Sequence, residues 1–203
     1  MMAKIKRPVF MCGENPGLRL YVPETEQRVA VASYWHCTYS PWGRGNALVL
    51  WLDEQALPEG LSWRSGGIFT DNVSLAHELV GTLTQYFQEF QGLPVTELPY
   101  LDATCEHVFD GMRYSLRCRA ESVRVEIIWE ELLDQKRLDW PQFPAGPVVY
   151  DLTTVICPCR AGYIEVNGLS VPGEVQVGQA ADGHPSSSAF LAFAESWVGP
   201  RRS

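Results

Sequence analysis

From Thr104 to Trp129 apolar and polar residues alternate along TCEHVFDGMRYSLRCRAESVRVEIIW. A period of two belongs to an extended strand with one face buried and one in water. Asp110-Gly111 suits a two-residue hairpin turn, and Glu121-Ser122 a second. Folding the run about them sets Phe109 opposite Met112, His107 opposite Tyr114 and Cys105 opposite Leu116. It also sets Cys118 opposite Val125, Leu116 opposite Ile127 and Tyr114 opposite Trp129. These residues share one face; Glu106, Arg113, Ser115, Arg117, Arg119, Arg124 and Glu126 share the other. A slip of one residue would exchange the faces, so the pattern predicts a three-stranded meander with one wet side.

Other segments read as strands too. Arg28 to Ser40 is rich in β-branched and aromatic residues, and ALVLWLDE after it is apolar on both faces, as in a central strand. A strand is predicted in VVYDLTTVICPC after the Pro-rich connection WPQFPAGP, and a hairpin about Asn167-Gly168. Two segments carry a helical period. In TDNVSLAHELVGTLTQYFQEFQG, Leu75, Leu79, Leu83, Tyr86, Phe87 and Phe90 recur at helical spacing between an Asp71 or Asn72 cap and a Gly92 stop. Near the C-terminus, Phe190, Phe193, Ala194 and Trp197 fit a helix better than a strand, because Ala and Leu propagate helices well. The expected fold is α+β: mainly antiparallel β, in a curved sheet, open barrel or sandwich. One long amphipathic helix (about 72–91) and a C-terminal helix complete a single domain over 1–203.

Composition narrows the partners. The 203 residues are 46% hydrophobic, 20% charged and 11% aromatic, which suits one globular domain with a sizeable core. The net charge of −8 argues against nucleic acid and anionic membranes, both of which call for Lys and Arg. No apolar stretch follows the basic residues of MMAKIKRPVF, and the longest apolar run, ALVLWL, is too short to span a bilayer. A cytoplasmic protein is expected, its six cysteines mostly free thiols.

Standard catalytic motifs are absent. There is no phosphate-binding loop and no G-x-S-x-G elbow, GRG at Gly43–Gly45 lacks a third glycine, and HELVG places Gly81 where a zincin has its second His. Cys157 and Cys159 flank Pro158 and share one strand face. That triplet resembles the redox centre of an intermembrane-space thiol oxidoreductase over three residues only, without that family's paired C-x9-C scaffold. Zinc would need further ligands, with His36 or Cys37 the nearest types to hand. The leading expectation for the pair is structural, with no metal and no cofactor.

His107 is the sharper anomaly, an imidazole on an otherwise apolar face that must find a hydrogen-bond partner. Burial favours its neutral form, which suits a general base, with Tyr114 as its companion. Trp35, His36, Tyr39 and Trp129 are the candidate ligand-binding residues, as an aromatic rim. The favoured reading is a cup that binds a small apolar or aromatic molecule, with a His base if it is an enzyme. One alternative is a non-catalytic interaction or structural domain with aromatic surface between chains, a homodimer included. The other is a thiol or metal protein built on Cys157 and Cys159.

Overall fold

The computed structural model describes residues 8–61, 63–145 and 148–199, so the basic N-terminal residues and Pro200 lie outside the described residues. The side chains of Thr82, Leu83, Gln85 and Gln88 are likewise not described. The chain opens with β1 (Val9–Glu14), β2 (Gly17–Tyr21), β3 (Arg28–Tyr39), β4 (Gly45–Leu52) and β5 (Gly67–Thr70). The helix α1 (Val73–Glu78) and a series of short turns lead to β6 (Tyr100–Asp102). Then come β7 (Thr104–Phe109), β8 (Arg113–Arg119), β9 (Arg124–Leu132), β10 (Lys136–Ala145) and β11 (Val148–Val166). Last are β12 (Leu169–Ser170), β13 (Val177–Gln179), β14 (Pro185–Ser187) and β15 (Ala189–Val198). No described helix is long and apolar enough to cross a membrane.

Thirteen strands form one sheet along the path β6-β5-β4-β3-β1-β15-β11-β9-β8-β7, with β2, β10 and β12 attached to its members. Its two ends, β6 and β7, are separated by Ala103 alone, whose N–H donates to Thr70 O. The sheet therefore curls until its ends meet. Inside it Leu18, Tyr34, Leu50, Phe69, Leu116, Ile127, Trp129, Cys159, Ile164 and Leu191 form one core. A second core lies on the other face, where Val31, Trp35, Val49, Ile68 and Trp197 meet Leu75 and Leu79 of the helical segment and Phe143, Tyr150 and Leu152 of β10 and β11. Successive residues of β3 and β4 enter opposite cores, which is why ALVLWL is apolar on both faces. Each large apolar side chain buried this way contributes about 1.5–3 kcal/mol.

The expected α+β class is corrected to a β-dominated fold. The long helix is six α-helical residues, Val73–Glu78, capped by Asn72 Oδ1, which accepts from Leu75 N–H. A π turn follows over Leu79–Leu83, closed by Thr84 N–H donating to Leu79 O, and then two short 3-10 turns. Gly81 weakens the helix there, and the Thr84 hydroxyl donates to Val80 O at 2.7 Å, a bond that bends helices.

The C-terminal helix is also overturned, because 189–198 is strand β15, paired on one side with β1 and on the other with β11. A bulge between the Thr153 and Val155 pairings, with Ala194 at φ 50°, adds one residue to the strand. That insertion breaks the period of two and counterfeits a helical spacing. The connection WPQFPAGP lies largely within β10, which among the described residues pairs only with β11. An edge position lets Pro141 and Pro144 stand in a strand.

The meander forms, and its second turn has the expected register: Tyr114 faces Trp129, Leu116 faces Ile127 and Cys118 faces Val125. The first turn differs by two residues, so Phe109 faces Tyr114, His107 faces Leu116 and Cys105 faces Cys118. Gly111, at φ 94°, and Met112 occupy the corner, and Asp110 Oδ1 accepts from the N–H groups of Met112 and Arg113. An even shift keeps the strand residues on their predicted faces, and only Met112 leaves the apolar face for the exposed corner.

Candidate functional site

His107 belongs to a polar cluster drawn from five strands at one end of the barrel. Tyr34 donates to Asn46 Oδ1 at 2.6 Å, and His107 Nδ1 lies 3.1 Å from the Tyr34 hydroxyl. A phenol has one proton. With it given to Asn46, His107 must bring its own on Nδ1, which leaves Nε2 as the basic nitrogen. That nitrogen lies 3.9 Å from Glu14 Oε2, which accepts from Tyr114 at 3.0 Å. His36 Nδ1 donates to the same Asn46 oxygen at 2.8 Å, while Asn46 Nδ2 donates to Asp71. The His107 pKa is lowered by burial and by His36, against an opposing pull from Glu14. Burial and the Glu14 carboxylate push the Tyr114 phenol far above its usual range.

The expected companion Tyr114 is therefore close but does not bond to His107; the two rings stack with centroids 5.5 Å apart. Of the expected rim, only His36 joins this cluster. Trp35 is buried in the outer core and Trp129 in the inner one, with Trp129 Nε1 donating to Gly17 O at 2.9 Å. Tyr39 is exposed. Cys157 and Cys159 are both buried in the inner core, whereas Cys37 lies in the outer one. Burial raises the Cys157 thiol pKa and pushes Cys159 up to about 12, so neither is a thiolate at neutral pH. Among the described residues no group of three or more His, Cys, Asp or Glu side chains is placed to hold a metal ion.

Open space lies outside the barrel, under β10 and the β13–β14 hairpin. A cavity of about 450 Å³ is lined by Phe87, Trp140, Phe143, Ala192, Glu89 and Glu195, among others. A second, of about 320 Å³, is lined by Arg19, Pro158, Lys136, Asp182, His184 and Ser187, among others. Leu138, Ile156 and Phe190 line both, so the two lie side by side along one cleft with an apolar waist. Neither is lined by His36, His107 or Tyr114. The segment closing one side is tied to the barrel by Arg28, which donates to Glu89 O at 2.8 Å and Gln91 O at 3.1 Å.

The two ends of the cleft differ in charge. At one end Glu195 is buried, and burial pushes its pKa up to about 7 even though Trp197 Nε1 donates to it at 2.7 Å. The Glu89 pKa is also raised by burial, against a lowering by its own backbone and by Arg19. At the other end Lys136 pairs with Asp182 and His184 with Asp134. Arg19 Nε is buried and has no hydrogen-bond partner among the described residues. Sequence reasoning passed over Arg19 and Glu195. Each had a signal: Arg19 interrupts Leu18 and Leu20, and Glu195 is the single charge in AFLAFAESWV.

No protein-family model and no curated protein matches the chain. Among solved structures, an acetoacetate decarboxylase from Legionella pneumophila subsp. pneumophila str. Philadelphia 1 is similar at 10% identity and a TM-score of 0.40, over 96% of this chain and 85% of that one. A second structure, from structural studies of acetoacetate decarboxylase, has 10% identity and a TM-score of 0.36, over 97% and 88% of the two chains.

Proposed function

We propose that the protein binds a small, largely apolar molecule in the cleft beneath β10. The observation that supports this is the pair of adjacent cavities, about 450 and 320 Å³, with Leu138, Ile156 and Phe190 lining both. Volumes of this size match sites for small organic ligands, and an apolar wall with a few polar groups is their usual chemistry. Glu195 supplies the polar handle at one end. With a pKa of about 7 it holds or accepts a proton at neutral pH, the property of a general acid or base. The barrel interior is filled by its own side chains, so the ligand site moves from the inside of the cup to its outer wall.

The neutral fluorophore N-phenyl-1-naphthylamine tests this reading. Saturable, one-site fluorescence enhancement is expected, and Leu138→Trp, which fills the waist, abolishes it. Absence of saturable binding, or binding indifferent to Leu138→Trp, contradicts the reading.

A second reading keeps chemistry at the barrel end, because His107 Nε2 is a basic nitrogen with the Glu14 carboxylate 3.9 Å away. It predicts that His107→Gln removes any activity found while leaving fluorophore binding intact. Loss of fluorophore binding with retained activity would contradict it.

A further inference from the structure

Arg19 stands on β2 between Leu18 and Leu20, whose side chains enter the inner core, so its own side chain leaves on the opposite face, into the cleft. There it is one of three basic side chains. Lys136 pairs with Asp182, and His184 pairs with Asp134 at 2.9 Å. Both of those side chains have a carboxylate partner. Among the described residues Arg19 Nε is buried with no acceptor, and its guanidinium, though it lowers the Glu89 pKa, is joined to no carboxylate by an ion pair. A buried donor without a partner is costly, and a guanidinium offers five donors in a fork that matches a carboxylate or sulfonate. The apolar waist of Leu138, Ile156 and Phe190 begins beside it.

We propose that the ligand is an organic anion, a carboxylate or sulfonate on a flat apolar body, with its charged group on Arg19 and its body across the waist toward Trp140 and Phe143. This rests on the cleft reading above and adds the ligand's charge and orientation. Glu89 and Glu195 line the neighbouring cavity, where burial raises both pKa values and lessens their repulsion of an anion, against a lowering of the Glu89 pKa by Arg19 itself.

A matched pair of fluorophores separates the two claims. 8-Anilino-1-naphthalenesulfonate has the same aromatic skeleton as N-phenyl-1-naphthylamine with one sulfonate added. The proposal expects Arg19→Gln to lower affinity for the sulfonate by roughly tenfold, about 1.4 kcal/mol, and to change affinity for the neutral probe less than twofold. Arg19→Lys, which keeps the charge but not the fork, falls between. If both probes bind wild type and Arg19→Gln alike, the anion proposal fails and the cleft reading stands. If neither binds wild type, the cleft reading fails. Saturable binding of the neutral probe by the variant also reports that its cleft is folded.

Discussion

The imidazoles of His36 and His107, on β3 and β7, lie with their centroids 4.6 Å apart at the end of the barrel. Burial, and after it the neighbouring His36 ring, disfavours protonation of His107. A histidine whose folded pKa lies below its unfolded value binds protons more readily when unfolded. Its contribution to stability is full above pH 6.5 and is lost as pH falls through the folded pKa. The urea midpoint is expected to fall between pH 7 and pH 5, and to fall less steeply in His107→Gln. An equal slope in both proteins would contradict this.

Glu195 predicts the opposite slope. Its folded pKa of about 7 exceeds the ordinary value of 4.5. Stability is thus full below pH 4.5 and declines as pH rises through 7, by about 3 kcal/mol in all. Glu195→Gln keeps an acceptor for Trp197 Nε1 and removes the ionisation. The variant should be the more stable protein at pH 8, by denaturant titration, with the advantage shrinking toward pH 5.

Gly17 sets the position of a cleft wall. A Cβ there would lie 2.5 Å from Phe190 Cζ, the far end of a ring that lines both cavities. Gly17→Ala should displace the ring and narrow the waist, at about 1–3 kcal/mol of stability. Binding of N-phenyl-1-naphthylamine should weaken roughly tenfold. Unchanged affinity in a folded variant would place the ligand elsewhere.

The cysteines should divide by depth. Cys37, Cys118, Cys157 and Cys159 are buried, whereas Cys12 and Cys105 are partly accessible. At pH 8 a thiol reagent should label Cys12 and Cys105 in the native protein, and all six after denaturation. Rapid native labelling of Cys157 or Cys159 would revive a redox role for that pair.

Much of this architecture was legible wherever alternation was strict. The β8–β9 register followed from Tyr114, Leu116 and Cys118 facing Trp129, Ile127 and Val125, because only one pairing keeps both faces consistent. The turn before it was displaced by two because Asp110 caps the corner with its side chain rather than occupying it. The two helices failed for different reasons. In the first, Gly81 and Thr84 cut short a strong pattern; in the second, the bulge at Ala194 imitated one. His107 was found because it broke a face, but its partners were not, since Tyr34, Asn46 and Glu14 come from strands joined to β7 only by closure of the barrel. The cleft was invisible for a related reason. Its walls come from β2, β10, β15 and the β13–β14 hairpin, and one of them, β10, looked like a connection.

The central claim, that the ligand sits in the outer cleft and not at the barrel end, is tested most directly by residue-resolved NMR. Backbone amide shifts of the full chain are followed during titration with 8-anilino-1-naphthalenesulfonate. Saturating perturbations are predicted at Arg19, Leu138, Ile156 and Phe190. Perturbations confined to Glu14, Tyr34, His36 and His107 would contradict the account and return the site to the barrel end.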